Sequence, residues 1–192
     1  MAEQRYVTDL KLEEKLGFDR VRGVISDRCS TDYAVRRTAE ESFSSDREII
    51  RKRLLLTEEM RLILMFEEMF PTTGYIDALP FLVPLRKEGY SIDLLSLGKL
   101  KTMLETTRKV TAFFRGIKDG IYPNLKSLSS PVAAFPQVQQ RIDGILDRHG
   151  DIKDSASEEL YSIRKSLKEK EAAISKRATA ILKKAQEEGY AD

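Results

Sequence analysis

Four apolar residues near the end of the chain, Leu160, Leu167, Ile174 and Ile181, recur every seven residues in a segment otherwise crowded with lysine, arginine and glutamate. A sevenfold apolar repeat on a helix makes one narrow stripe, the width that a single partner helix covers in a coiled coil. Ile163, Ala178 and Ala185 flank the stripe, whereas the companion heptad column holds Lys170, Arg177 and Lys184. At about 1.5 Å per residue, a helix from Ser157 to Glu188 is roughly 45 Å long. That is longer than a compact domain built from 192 residues needs. The expectation is a projecting arm that wants one partner helix, with no later segment of this chain to supply it.

The remainder also has helical spacing, so the predicted class is all-α, with only a very short extended segment before the last helix. Val21, Val24, Ile25 and Cys29 extend one amphipathic face from Phe18, and Asp32 to Ala39 forms a short second helix. The cluster Ser42-Phe43-Ser44-Ser45-Asp46 breaks the pattern, and Ser45 or Asp46 caps the next helix. That helix, from Arg47 to Met69, is expected to bury a broad face of Ile49, Ile50, Leu54, Leu62, Ile63, Phe66 and Met69, with Pro71 ending it. The whole apolar stretch Leu54–Phe70 then reads as core.

A short helical segment covers Asp77 to Lys87. Ser91 is placed to cap a long helix carrying Ile92, Leu95, Leu100, Leu104, Val110 and Phe113. Pro123, Pro131 and Pro136 fragment the next stretch, and a helix from Gln137 to Asp147 stops near Gly150. Ser157 caps the last helix, with Glu158 and Glu159 at its positive end; Ser155 with Glu158 spells an alternative capping box two residues earlier. Two domains result: 1–148, a helical core, and 149–192, a turn, a short strand and the start of the arm helix.

Composition excludes several functions. Lys plus Arg number 33 against 31 Asp plus Glu, so there is no overall nucleic-acid footprint and any such contact must be a local patch. A single cysteine rules out an internal disulfide and suits a reducing cytoplasm. Met1 to Arg5 does not resemble a signal peptide, and Leu54–Phe70 is interrupted by Glu58, Glu59, Arg61, Glu67 and Glu68, which excludes a membrane span.

The chemistry-bearing motifs are few. There is neither a G-x-x-x-x-G-K-[ST] phosphate loop nor a G-x-G-x-x-G fingerprint, and one histidine with one cysteine makes no zinc site. His149, beside Asp147, Asp151 and Ser155, could serve a small hydrolase as a general base, but its setting reads first as a solvated turn. Arg47, Arg51, Lys52 and Arg53 form one basic cluster. Lys165, Lys168, Lys176, Lys183 and Lys184, with Arg164, Lys170 and Arg177, form a second on the last helix. The second is the better candidate for phosphate contact, against the plainer reading of a solvated face mixed with Glu169, Glu171, Glu187 and Glu188.

One segment resembles a known family. Gly150-Asp-Ile-Lys-Asp154-Ser155-Ala-Ser157, followed by Leu160, Ile163 and Arg164, is similar to the G-[DE]-[VI]-x-D-S-A-S-P-x-L-x-x-I-R segment of MutS type II proteins, which leads from their lever domain into the clamp arm. Glu158 stands where proline is usual. Upstream, Lys11-Leu12 to Val21 resembles the family's opening helices. Glu48 to Leu64 resembles its T-x-E-A helix with Met60 for alanine, and Ile76-Asp77 and Gly89 to Leu95 resemble its D-I and G-x-x-L-S stretches.

The resemblance implies a non-catalytic fragment comprising the first half of a lever domain and the outgoing half of a clamp coiled coil. The parent would be a DNA-binding ATPase and endonuclease with a C-terminal Smr nuclease domain, acting as a homodimer. Its implied roles are in DNA mismatch repair and recombination control, on branched DNA, and in some bacteria in rescuing collided ribosomes. ATP and Mg would belong to the parent and to none of these residues. The partners implied are the returning clamp helix and the ATPase domain. The rival expectation is a stand-alone coiled-coil adaptor that dimerises through the last helix.

Overall fold

The computed structural model describes residues 10–42 and 44–190. The expectations placed on Met1 to Arg5 and on Phe43 lie outside them. The described residues are all-α, and the extended segment expected before the last helix is a single antiparallel bridge between Leu146 and Ile152. Contacts divide the chain into two compact units, one through Gln139 and the other from Gln140 onward.

The first unit begins with α1 (Leu10–Lys15), α2 (Phe18–Ser26) and α3 (Asp32–Glu40). Thr31 caps α3 by accepting from the Ala34 amide. Arg22 of α2 closes the other end of α3: its guanidinium donates to the Thr38 and Glu41 carbonyls at 2.6 and 2.8 Å and pairs with Glu13 at 3.1 Å. A cation there meets the orphan carbonyls at the negative end of the helix. Val21, Val24 and Ile25 remain about half exposed. Cys29 lies beyond the end of α2 and donates to the Ile25 carbonyl, so it does not extend the helical face as expected.

Next come α4 (Arg47–Phe66), α5 (Leu79–Leu82), a 3-10 turn (Pro84–Arg86), α6 (Leu94–Gly116) and α7 (Pro123–Ser129). Asp46 caps α4, its carboxylate accepting from the Glu48 and Ile49 amides. The broad buried face expected on α4 is not there. Only Glu59 and Ile63 are buried in it, while Phe66 is 68% exposed and Met69, past the helix end, 86%. The segment is apolar on more than one side, so apolarity alone could not say which side packs. The side that packs carries Leu56, Met60 and Ile63. Nor does α4 continue to Met69: the backbone becomes extended at Glu67, and the Phe70 amide bonds back to the Glu67 carbonyl at 3.2 Å. This turn brings Phe70 into the core before Pro71 can act.

The core joins Ile63 and Phe70 with Phe114, Tyr122 and Leu125, and Phe113 packs against them. Phe70, Phe113 and Phe114 meet edge to face, with centroids 5.1 to 6.1 Å apart, the arrangement that ring quadrupoles favour.

Docking of α7 onto α4 rests on a cap supplied from a distance. Pro123 opens α7, leaving the Asn124 and Leu125 amides without partners in their own helix. The buried Glu59 carboxylate accepts both, at 3.1 and 2.7 Å, and the Asn124 side-chain amide at 2.6 Å. Eight residues further along, Glu67 accepts from the Tyr122 hydroxyl at 3.0 Å, and burial together with this carboxylate pushes the phenol above its ordinary range.

Two further expectations are corrected. Asp93, not Ser91, caps α6 by accepting from the Ser96 amide at 2.9 Å; a carboxylate caps the orphan amide and also suits the positive helix end. The Asp77–Lys87 segment divides into α5 and the 3-10 turn at Val83, and the proline after Val83 has no amide to continue the α-helical ladder.

The second unit takes in the end of α8 (Pro136–Ile145), a 3-10 turn (Asp154–Ala156) and α9 (Glu158–Glu187). Ile142 and Leu146 are buried, whereas no residue of α9 is. No helix among the described residues is long and apolar enough to cross a membrane.

Candidate nucleic-acid interface

The segment between α8 and α9 is built as a fastened turn. Asp147 accepts from the His149 and Asp151 amides at 2.8 and 3.0 Å, and its own amide donates to the Asp151 carbonyl at 2.8 Å. Gly150 completes the turn at φ +89°, a backbone region that side chains other than glycine's resist. Lys153 ties the chain back to α8 twice: its amide donates to the Ile145 carbonyl at 2.8 Å and its ammonium to the Asp143 carbonyl at 2.6 Å.

From there the link runs into α9. Ser157 is the cap, extended in backbone and accepting from the Leu160 amide at 3.1 Å. Ser155 lies one turn earlier, in the 3-10 segment, so the alternative capping box is not formed. Arg164 donates to the Ile152 carbonyl at 2.9 Å and to Asp154, and Lys168 pairs with the other Asp154 oxygen at 3.0 Å. One carboxylate therefore holds the second and third turns of α9 against the turn. The Arg164 and Lys168 cations hold Asp154 below the usual aspartate range, as the Asp151 and His149 amides do for Asp147.

A carboxylate whose pKa is lowered by folding adds stability above its unfolded pKa and loses it as pH falls through the lower folded value. Both Asp147 and Asp154 start from an ordinary value of 3.8. The side-chain carboxyl carbon resonances of Asp147 and Asp154 are therefore expected to titrate with midpoints below that value. A carboxyl midpoint at or above it, seen by NMR titration, would contradict the fastening described.

His149 has no hydrogen bond to Ser155 among the described residues; its Nε2 accepts from the Arg148 side chain at 2.9 Å, and it is exposed. The described residues contain no group of three or more His, Cys, Asp or Glu able to hold a metal ion.

α9 separates its side chains by chemistry. With about 100° between successive residues, Lys165, Lys168, Lys176 and Lys183 share one face, and Leu167, Ile174 and Ile181 run along the opposite one. Lys184 does not join the first group. It lies in a second basic column with Lys170 and Arg177, beside the apolar stripe. Lys168 is engaged by Asp154, Lys183 pairs loosely with Glu187 at 3.9 Å, and Lys165 and Lys176 make no ion pair among the described residues. Leu160 is half-buried at the base of the stripe. Leu167, Ile174 and Ile181 are 53%, 67% and 70% exposed.

The roles of three residues of this region escaped the sequence reading. Asp147 could have been found from its place ahead of His149-Gly150, an Asx-turn pattern. Tyr161 falls at helical spacing with Lys165 and Lys168, and the three line one open notch with Asp154. Lys153 gave no local signal, since its acceptor on Asp143 lies across the turn.

No known protein family's profile matches the chain. Individual proteins do. Over 175 residues, 90% of this chain, it is 26% identical to "Endonuclease MutS2" of Listeria innocua, covering 22% of that protein. Over 135 residues, 70% of this chain, it is 29% identical to the Clostridium botulinum protein of the same name, covering 17% of it. A Geobacillus protein so named is 29% identical over 99 residues, half of this chain. The chain thus spans about a fifth of the length of the curated relatives it matches.

Proposed function

We propose that this chain is the first half of the lever domain and the outgoing clamp stem of a MutS2-like, DNA-binding ATPase. In this reading residues 1–148 form the lever half and 149–192 the turn and stem, and the chain itself catalyses nothing. The observation that carries the reading is α9, fastened at its base by Asp154, with an apolar stripe for a returning helix on one face and lysines on the other. The likeness to MutS2 proteins over 90% of the chain supports it. ATP and Mg would be held elsewhere in the parent, since the sequence has no phosphate loop. The parent would be a cytoplasmic homodimer acting on branched DNA in mismatch repair and recombination control, with ribosomes as a second substrate.

The reading has two tests. The gene is expected to continue past codon 192 into a Walker A sequence, and a stop codon there would defeat the reading. In the complete protein, replacing Lys165, Lys168, Lys176 and Lys183 together by Gln is expected to weaken binding to a four-way DNA junction and to reduce its salt slope by about 3 to 4. Lys184→Gln alone, on the other column, should leave junction binding within about twofold. Unchanged affinity and slope in the quadruple variant would remove DNA contact from α9, and a parallel ribosome-pelleting assay would show whether ribosomes take its place.

The exposed stripe also favours a second reading, a stand-alone adaptor that dimerises through α9. It predicts a stable dimer of this chain that Leu167→Glu dissolves.

A further inference from the structure

The apolar stripe of α9 carries information about what covers it. Ile163, Ser166, Leu167 and Lys170 stand at positions i, i+3, i+4 and i+7 and, with Ser162, line an open notch of ≈ 360 Å³. Four residues at that spacing form the hole that receives one side chain of a facing helix in knobs-into-holes packing. Two of the four are apolar, one is small, and the fourth is a cation. The same cation recurs as Arg177 and Lys184, one heptad apart each time, beside the stripe. Lys170 and Arg177 make no ion pair among the described residues, and Lys184 has only a 3.7 Å contact with Glu188. The seam therefore presents a column of positive charge that its own helix leaves largely uncompensated.

A second copy of α9 cannot compensate it. If the column sits in the seam beside the stripe, parallel pairing sets cation against cation, and antiparallel pairing sets cations against Leu167 and Ile174. If the column flanks the seam, parallel pairing sets it against Lys168, Ser175 and Leu182, and antiparallel pairing sets it against itself. None of the positions that directly face the column in these arrangements is acidic. Like charges across a coiled coil act against a pairing as effectively as complementary ones select it.

We infer that the stripe of α9 is built for a heterologous helix bearing an apolar heptad with a column of Asp or Glu beside it, and is built against a second copy of itself. The inference rests on the clamp-stem reading in that one helix occupies the seam, and it adds that helix's chemistry.

The test uses this chain with three labelled helical peptides of about four heptads, identical in their apolar residues and carrying Glu, Gln or Lys in the facing column. By fluorescence anisotropy the Glu peptide is expected to bind about tenfold more tightly than the Gln peptide, the sum of three exposed charge pairs. The Lys peptide should bind more weakly still. A variant with Lys170→Glu, Arg177→Glu and Lys184→Glu should reverse the order, which also guards against loss of folding as the explanation. Equal binding of all three peptides would overturn the inference and leave the clamp-stem reading standing. Tight self-association in sedimentation, abolished by Leu167→Glu, would also overturn the inference, because it would show that the seam accepts a second copy of itself.

Discussion

Replacing Glu59 by Ala is expected to cost about 2–4 kcal/mol of stability, because it leaves buried donors without an acceptor. Those donors are the Asn124 and Leu125 amides and the Asn124 side chain, all bonded to the Glu59 carboxylate. Water cannot readily replace that acceptor at a site where Glu59 is only 7% exposed. For a chain of this size the melting temperature should fall by roughly 5–15 °C. Glu59→Gln keeps one acceptor oxygen but points an amide at the other amides, and should fall between wild type and Ala. Thermal unfolding followed by circular dichroism measures both. A Glu59→Ala chain as stable as wild type would mean that α7 does not depend on this cap.

The second large effect separates the functional readings. Leu167→Glu with Ile174→Glu should change the stability of the isolated chain by less than about 0.5 kcal/mol, since both residues are exposed. In the complete protein of the clamp-stem reading, each buried apolar side chain lost costs about 2 kcal/mol of helix pairing. The pair together would weaken pairing by roughly a thousandfold. DNA should then no longer stimulate ATP turnover, while turnover without DNA persists. The adaptor reading predicts a dissolved dimer instead. A double variant that retains DNA-stimulated turnover would show that the stripe has no part in coupling.

What the sequence made legible was whatever neighbouring residues decide. The stripe of α9, the Ser157 cap, the Asp46 cap and the break at Gly150 are set by spacing within a few residues, and the structure has each of them. The packed face of α4 was not legible: its apolar residues lie on several sides, and the choice belongs to α6 and α7. The same holds for Glu59, whose bonding partners lie 65 and 66 residues away. Within the candidate interface, the lysines could be named from composition. The column of Lys170, Arg177 and Lys184 was legible from heptad spacing, whereas the engagement of Lys168 by Asp154 spans 14 residues and a turn. Ser91 lost to Asp93 for a local reason, since Asp93 immediately precedes the helix and its carboxylate reaches the Ser96 amide.

Two glutamates, Glu59 within α4 and Glu67 just past its end, also act as an index stop. Glu59 takes the α7 amides and Glu67 the Tyr122 hydroxyl, eight residues apart in the chain. Were α7 to slip by one turn, about 5.4 Å, its amides would face Leu55 or Ile63, neither of which can accept a hydrogen bond through its side chain. No neighbouring register is therefore available to creep into. A push or pull delivered along α4 must reach α7 at full stroke, or tear it away altogether.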